Sequence, residues 1–178
     1  AAAGPGVGAA MAQLARDLPQ TFRSVECQRG RQLVIDGRPV TDFASVNYLG
    51  LDLDPEVMAA VGPLIERWGT HPSWTRAVAS PAPYRDLEVA LAALIGAPDT
   101  LVFPTITLAH LGLLPLLATA RDTLIVDRGA HQSIHESAVV AHARGARLLA
   151  FDHHDPASLA TALAGARGRP VVAIDGVH

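Results

Sequence analysis

The sequence contains no lysine: all 14 of its basic residues are arginine. No reaction that needs a lysine amine can be completed by these residues alone. A single cysteine, Cys27, excludes an intrachain disulfide and fits a reducing, cytoplasmic compartment. The start of the chain lacks the charged-then-apolar pattern of a secretory signal. Aromatic side chains make up only 4% of the residues, and the formal net charge is −3. That balance offers no basic surface for nucleic acid or anionic lipid. No apolar run reaches the roughly 18 residues of a membrane span. Neither GxGxxG nor GxxxxGK[ST] occurs, which disfavours a glycine-rich nucleotide loop.

What is present is apolar material, 49% of 178 residues, enough for a sizeable core. Residues 1–10 are low-complexity and uncharged, and read as a flexible extension. Residues 11–83 read as an N-terminal segment. It holds a short helix at 11–18 ending near Pro19, then a hairpin of Gln32–Ile35 and Pro39–Phe43 turning at Asp36-Gly37. A loop at Asn47–Gly50 follows, then a helix from Pro55 to Trp68 and an ordered loop at 69–83. From Tyr84 the apolar spacing of Leu87, Leu91, Leu94 and Ile95 is helical, with Gly96 as the stop.

Beyond that, apolar strands at 100–103, 123–126, 147–151 and 171–174 alternate with helices at 106–119, 131–144 and 156–165. Such alternation predicts an α/β fold with a mostly parallel sheet and helices on both faces. The chain stops just past the last of these strands, so residues 84–178 read as the first part of a larger, incomplete α/β domain.

In such sheets ligands collect beyond the carboxyl ends of the strands. Pro104–Thr107, Asp127–His131, Asp152–Asp155 and Asp175–His178 are placed there. The first enters a helix, whose free amides and dipole favour an anion such as phosphate. On the residues alone, the favoured reading of Thr105 is a simple helix cap. His131 could pack on a planar cofactor or act as acid or base. His131 and His135 share a helix face, but position 132 is Gln, so the HExxH metal arrangement is absent. His153 and His154 read as polar loop residues before the Asp155 cap.

The order of segments resembles a known family. Asn47-Tyr48-Leu49-Gly50-Leu51 with Asp54-Pro55-Glu56-Val57 resembles the "NYLGL…HPEV" opening of the α-oxoamine synthases, which are fold-type I pyridoxal-phosphate enzymes. Leu87-Glu88 through Ile95-Gly96-Ala97 is similar to their "LE..LA.FLGA" helix. Asp127 with Ala130-His131-Gln132-Ser133-Ile134 resembles "D..NHASI", and Asp175-Gly176-Val177 resembles the start of "DGVFSMDG".

The resemblance implies the large domain of a fold-type I transferase, seen in part. It also implies pyridoxal 5'-phosphate as cofactor. By residue, it implies that His131 stacks on the pyridine ring and that Ile106 and Thr107, beside Thr105, hold the phosphate through backbone amides. Asn47 is associated with the amino-acid carboxylate. The implied reaction condenses an amino acid with an acyl-CoA or acyl-carrier-protein thioester, decarboxylatively, in a homodimer with its site at the interface. The family's cofactor-binding lysine lies beyond the "SMDG" segment, so residues 1–178 alone are expected to be inactive. The alternative is a lysine-less, non-catalytic subunit that pairs with a competent partner.

Overall fold

A computed structural model describes residues 7–17, 23–71 and 74–176. They divide into two compact units, one on each side of the 81/82 peptide bond. The first opens with α1 (Val7–Asp17). Helix there corrects the expected flexible extension over Val7–Ala10: Gly8 notwithstanding, alanine is the best helix former and needs no charge to continue a turn. Residues 1–6 and the expected stop at Pro19 lie outside the described residues.

Three antiparallel strands follow, β1 (Val25–Arg29), β2 (Gln32–Ile35) and β3 (Arg38–Thr41), in that spatial order. Asp36 (φ 51°) and Gly37 (φ 70°) both take the left-handed conformation between β2 and β3. Two such residues define the type I′ turn whose twist suits a hairpin. The sequence reading missed β1, because Val-Glu-Cys-Gln-Arg carries only two apolar residues and every residue of it is exposed. Its pairing with β2 forms the strand. Helix α2 (Pro55–Trp68) starts where expected, with the Asp54 carboxylate accepting from the amides of Glu56 and Val57.

The second unit begins with α3 (Ala82–Ile95), two residues before Tyr84. The expected strand at 100–103 does not form. Two of its donors are taken by α3 instead: the buried Glu88 carboxylate accepts from the Val102 amide at 2.9 Å, and the Glu88 carbonyl accepts from the Thr100 hydroxyl at 2.7 Å. An apolar run becomes a strand only where a neighbouring strand takes its amides.

The remaining elements are α4 (Ile106–Leu117), β4 (Asp122–Asp127), α5 (Gln132–Ala143), β5 (Arg147–Phe151), α6 (Pro156–Ala164) and β6 (Arg169–Ala173). The strands form a parallel sheet in the order β5-β4-β6. Central β4 is buried throughout. Its Leu124 and Val126 pack with Ile134, Ala138 and Ala141 of α5 and with Leu114 of α4, while Ile125 packs with Leu159 and Ala162 of α6. Helices therefore cover both faces, as the near-continuous apolar strands predict.

At the amino end of β4, Asp122 is fixed by Thr119, whose amide and hydroxyl donate to Oδ2 at 2.8 and 2.7 Å. Arg169 of β6 adds a donor to Oδ1 at 3.2 Å. Thr119 chiefly, then Arg169, hold this carboxyl at about 2, below its ordinary 3.8. The anion is thus favoured in the folded chain. Its stabilising contribution is complete above the ordinary value and is lost as pH falls through the folded one. Melts followed between about pH 4 and pH 2 should show wild-type stability falling, and Asp122→Asn should flatten that fall. Equal slopes would remove Asp122 from the acid response.

Candidate active site

Helix α4 opens at Thr105, whose extended backbone (φ −146°, ψ 154°) and hydroxyl cap the helix by accepting from the Leu108 amide at 3.2 Å. The hydroxyl accepts in that bond and keeps its own proton to donate. The amides of Ile106 and Thr107 come next, too early in the helix to find an acceptor four residues back. With the helix dipole behind them they suit an anion. Because 100–103 is not a strand, this segment is not a strand end as expected. It takes its position from α4, which packs on α5 through the shared core.

The register of the sheet does bring the other segments together. Asp127 lies beside Phe151, and Val126 beside Ala173, so the loops after β4, β5 and β6 leave from one edge. His131 ends the first of these loops as the N-cap of α5. Its amide donates to Asp175 Oδ2, just past β6, at 2.6 Å. Its Nδ1 accepts from the Ser133 amide at 3.2 Å and lies 2.7 Å from the Ser133 hydroxyl. The same hydroxyl lies 2.9 Å from Nδ1 of His110 on α4. Ser133 thereby links the helix that starts at Ile106 to the ring of His131.

Three of these participants escaped the sequence reading as site residues: His110, Ser133 and Asp175. Ser133 and Asp175 belonged to quoted motifs, yet their partners lie on other elements, 23 and 44 residues away in two of the bonds. A second pair was also hidden. Asp127, buried, places Oδ2 2.8 Å from Nδ1 of His153, and its Oδ1 accepts from Gly129. A Cβ on Gly129 would come within 2.6 Å of the His153 ring, which is why the loop needs glycine there. An open groove of about 450 Å³ at this edge is bounded by Asp127, Asp175 and the start of α6, and does not include His131.

Asn47 belongs to the first unit. Its side-chain amide donates to the Asp52 carboxylate, and its carbonyl accepts from Arg31 at 3.0 Å. The Tyr48 carbonyl accepts from the same guanidinium, so the Asn47–Tyr48 turn is held from both sides. Among the described residues no three His, Cys, Asp or Glu side chains converge as a metal site would require. Also among them, no helix is long and apolar enough to cross a membrane.

No protein-family model matches the chain. Curated sequences do. It is 38% identical over 167 residues to the 8-amino-7-oxononanoate synthase of Pseudomonas paraeruginosa, covering 93% of this chain and 41% of that one. Among solved structures, Sphingomonas wittichii serine palmitoyltransferase superposes with a TM-score of 0.82 at 23% identity, over 93% of this chain and 42% of that one. A structure of SPT with PLP reaches a TM-score of 0.85 at 24% identity, over 97% and 44%. At such identities the structural likeness establishes the fold, that of fold-type I pyridoxal-phosphate enzymes. The chain spans about two fifths of the length of the curated relatives it matches. Sequence likeness along nearly all of its own length places the chain in the α-oxoamine synthase family.

Proposed function

We propose that the protein carrying this chain is a pyridoxal-phosphate-dependent acyltransferase of the α-oxoamine synthase type. It joins the α-carbon of an amino acid to the carbonyl carbon of an acyl-CoA or acyl-carrier-protein thioester. The thiol leaves, and the amino acid's carboxylate departs as carbon dioxide. The observation that carries the reading is the Ser133 link between α4 and His131, because it ties an anion-suited helix start to a ring-sized side chain. Likeness to relatives named for this chemistry supports it.

The residues present fit the cofactor. The Ile106 and Thr107 amides would hold its phosphate, with Thr105 keeping the helix start in shape. His131 would pack against the pyridine ring and help orient the substrate, while Asn47 would serve the amino-acid carboxylate. When bound, the cofactor supplies an electron sink for the carbanion at the α-carbon. Exposed Phe43, Tyr48 and Leu49 support a homodimer with the site at its interface, and the working compartment is the cytoplasm. The lysine that retains the cofactor must come from outside residues 1–178, which contain none.

That absence also favours a second reading, a non-catalytic subunit whose partner supplies the lysine. Intact mass and the visible spectrum of the purified natural protein separate the two. A longer chain that carries the cofactor chromophore by itself supports the enzyme. A cofactor-free chain that becomes active only with a partner supports the subunit.

Thr107→Pro tests the phosphate assignment. Proline is tolerated in a first helical turn, because the amide it lacks is unbonded within the helix. Loss of one donor to a charged group should weaken pyridoxal-phosphate affinity about tenfold or more, with circular dichroism unchanged. Unaltered affinity in a folded variant would refute the assignment.

A further inference from the structure

The hydrogen bonds around Ser133 fix where the protons of two imidazoles reside. The Ser133 amide can only donate, and it donates to Nδ1 of His131 at 3.2 Å. That nitrogen is therefore an acceptor, and in the neutral ring the proton lies on Nε2. The Ser133 hydroxyl, 2.7 Å from the same nitrogen, must then donate its one proton to it. Having donated, the oxygen can only accept from Nδ1 of His110, 2.9 Å away, so His110 carries its proton on Nδ1. Ser133 is 3% exposed, so water does not readily substitute for any member of the chain.

We propose that His110 is a positioning residue which acts through Ser133 to hold His131 in its Nε2–H form. Held so, His131 presents a donor and no acceptor at Nε2, the ring nitrogen that none of these bonds uses. Position 110 sits in the second turn of the helix that starts at Ile106, so one short element would serve both the anion and the ring. The consequence for the cofactor rests on the function proposed above. The proton order rests on the hydrogen bonds alone.

The test uses the full-length natural protein labelled with 15N-histidine, with long-range proton–nitrogen correlation at a pH where both rings are neutral. The His110→Asn sample identifies the His110 signals, and His131→Asn those of His131. Expected are a protonated Nδ1 in His110, the tautomer histidine adopts less in water, and an unprotonated Nδ1 in His131. A protonated Nε2 in His110, or a protonated Nδ1 in His131, overturns the proposal in the wild-type spectrum itself. Ser133→Ala should abolish the preference at His110.

Pyridoxal phosphate titrations complete the test. His110→Leu removes the donor and should weaken affinity about fivefold, the worth of one ordinary hydrogen bond. His110→Asn keeps an N–H donor and should stay within about twofold. Equal losses in both variants would overturn the positioning role. Failure of the proposed function reads differently: His131→Asn would leave cofactor affinity untouched while the tautomer pattern stood.

Discussion

His131→Ala in the full-length protein should lower kcat/KM about 100-fold or more, the scale of losing a positioned acid–base side chain. It should also weaken cofactor retention, visible as loss of the bound chromophore on dialysis. The fold should survive. His131 is exposed, and its side chain gives the helix a cap bond to the Ser133 amide, worth about 1 kcal/mol, and accepts from the Ser133 hydroxyl. His131→Asn separates the two contributions, since asparagine restores a capping acceptor without restoring the ring. If it recovers stability but not turnover, the ring is what the reaction needs. Turnover and cofactor spectrum unchanged in His131→Ala would remove the residue from the site.

Gly168→Ala should be the most damaging single change to the second unit, at about 3 kcal/mol or more by denaturant unfolding. Gly168 has a φ of +69°, a conformation that costs a residue bearing a Cβ about 1–2 kcal/mol. The added Cβ would also collide with the backbone carbonyl of Arg121, which cannot swing aside as a side chain could. Forced overpacking adds about 1–3 kcal/mol. The neighbouring backbone has no freedom to relax: the Thr123 hydroxyl donates to the Arg167 carbonyl at 2.6 Å and accepts from its amide at 2.9 Å. Gly168→Asn discriminates the causes, because asparagine tolerates positive φ yet carries the same Cβ. Near-wild-type stability for Gly168→Asn would show that backbone conformation alone matters. A comparable loss would locate the cost in the collision.

Much of the fold was legible because the signals are local. Asp54-Pro55 and Asp155-Pro156 each put a carboxylate acceptor before a residue of fixed φ, and both open helices with the expected bonds. Asp36-Gly37 specified its turn. The strands at 123–126, 147–151 and 171–174 read as apolar runs because helices cover both sheet faces. The last appears at Arg169–Ala173, displaced toward its polar start, since pairing with Asp122 begins at Arg169.

The failures share a cause. Leu101-Val102-Phe103 has strand composition, but a glutamate 14 residues earlier takes the Val102 amide. Val25–Arg29 has poor strand composition, but an available edge on β2 recruits it. Composition expresses what a segment prefers in isolation, whereas hydrogen-bond partners are allotted by the rest of the chain.

The sequence by itself determined the alternating α/β order, the family, the absence of a lysine amine and the standing of His131, Thr105, Ile106, Thr107 and Asn47 as candidates. The element order, the missing amine, His131, Thr105 and Thr107 follow from residue identity and short spacings, and the family, Ile106 and Asn47 from the resemblance of the quoted motifs. Only the tertiary structure decided that Ser133 bridges His110 to His131, that Asp175 holds the His131 amide and that Asp127 pairs with His153. Parallel pairing brings the carboxyl ends of distant strands to one edge, and the bonds made there join residues whose separation along the chain carries no periodic signal.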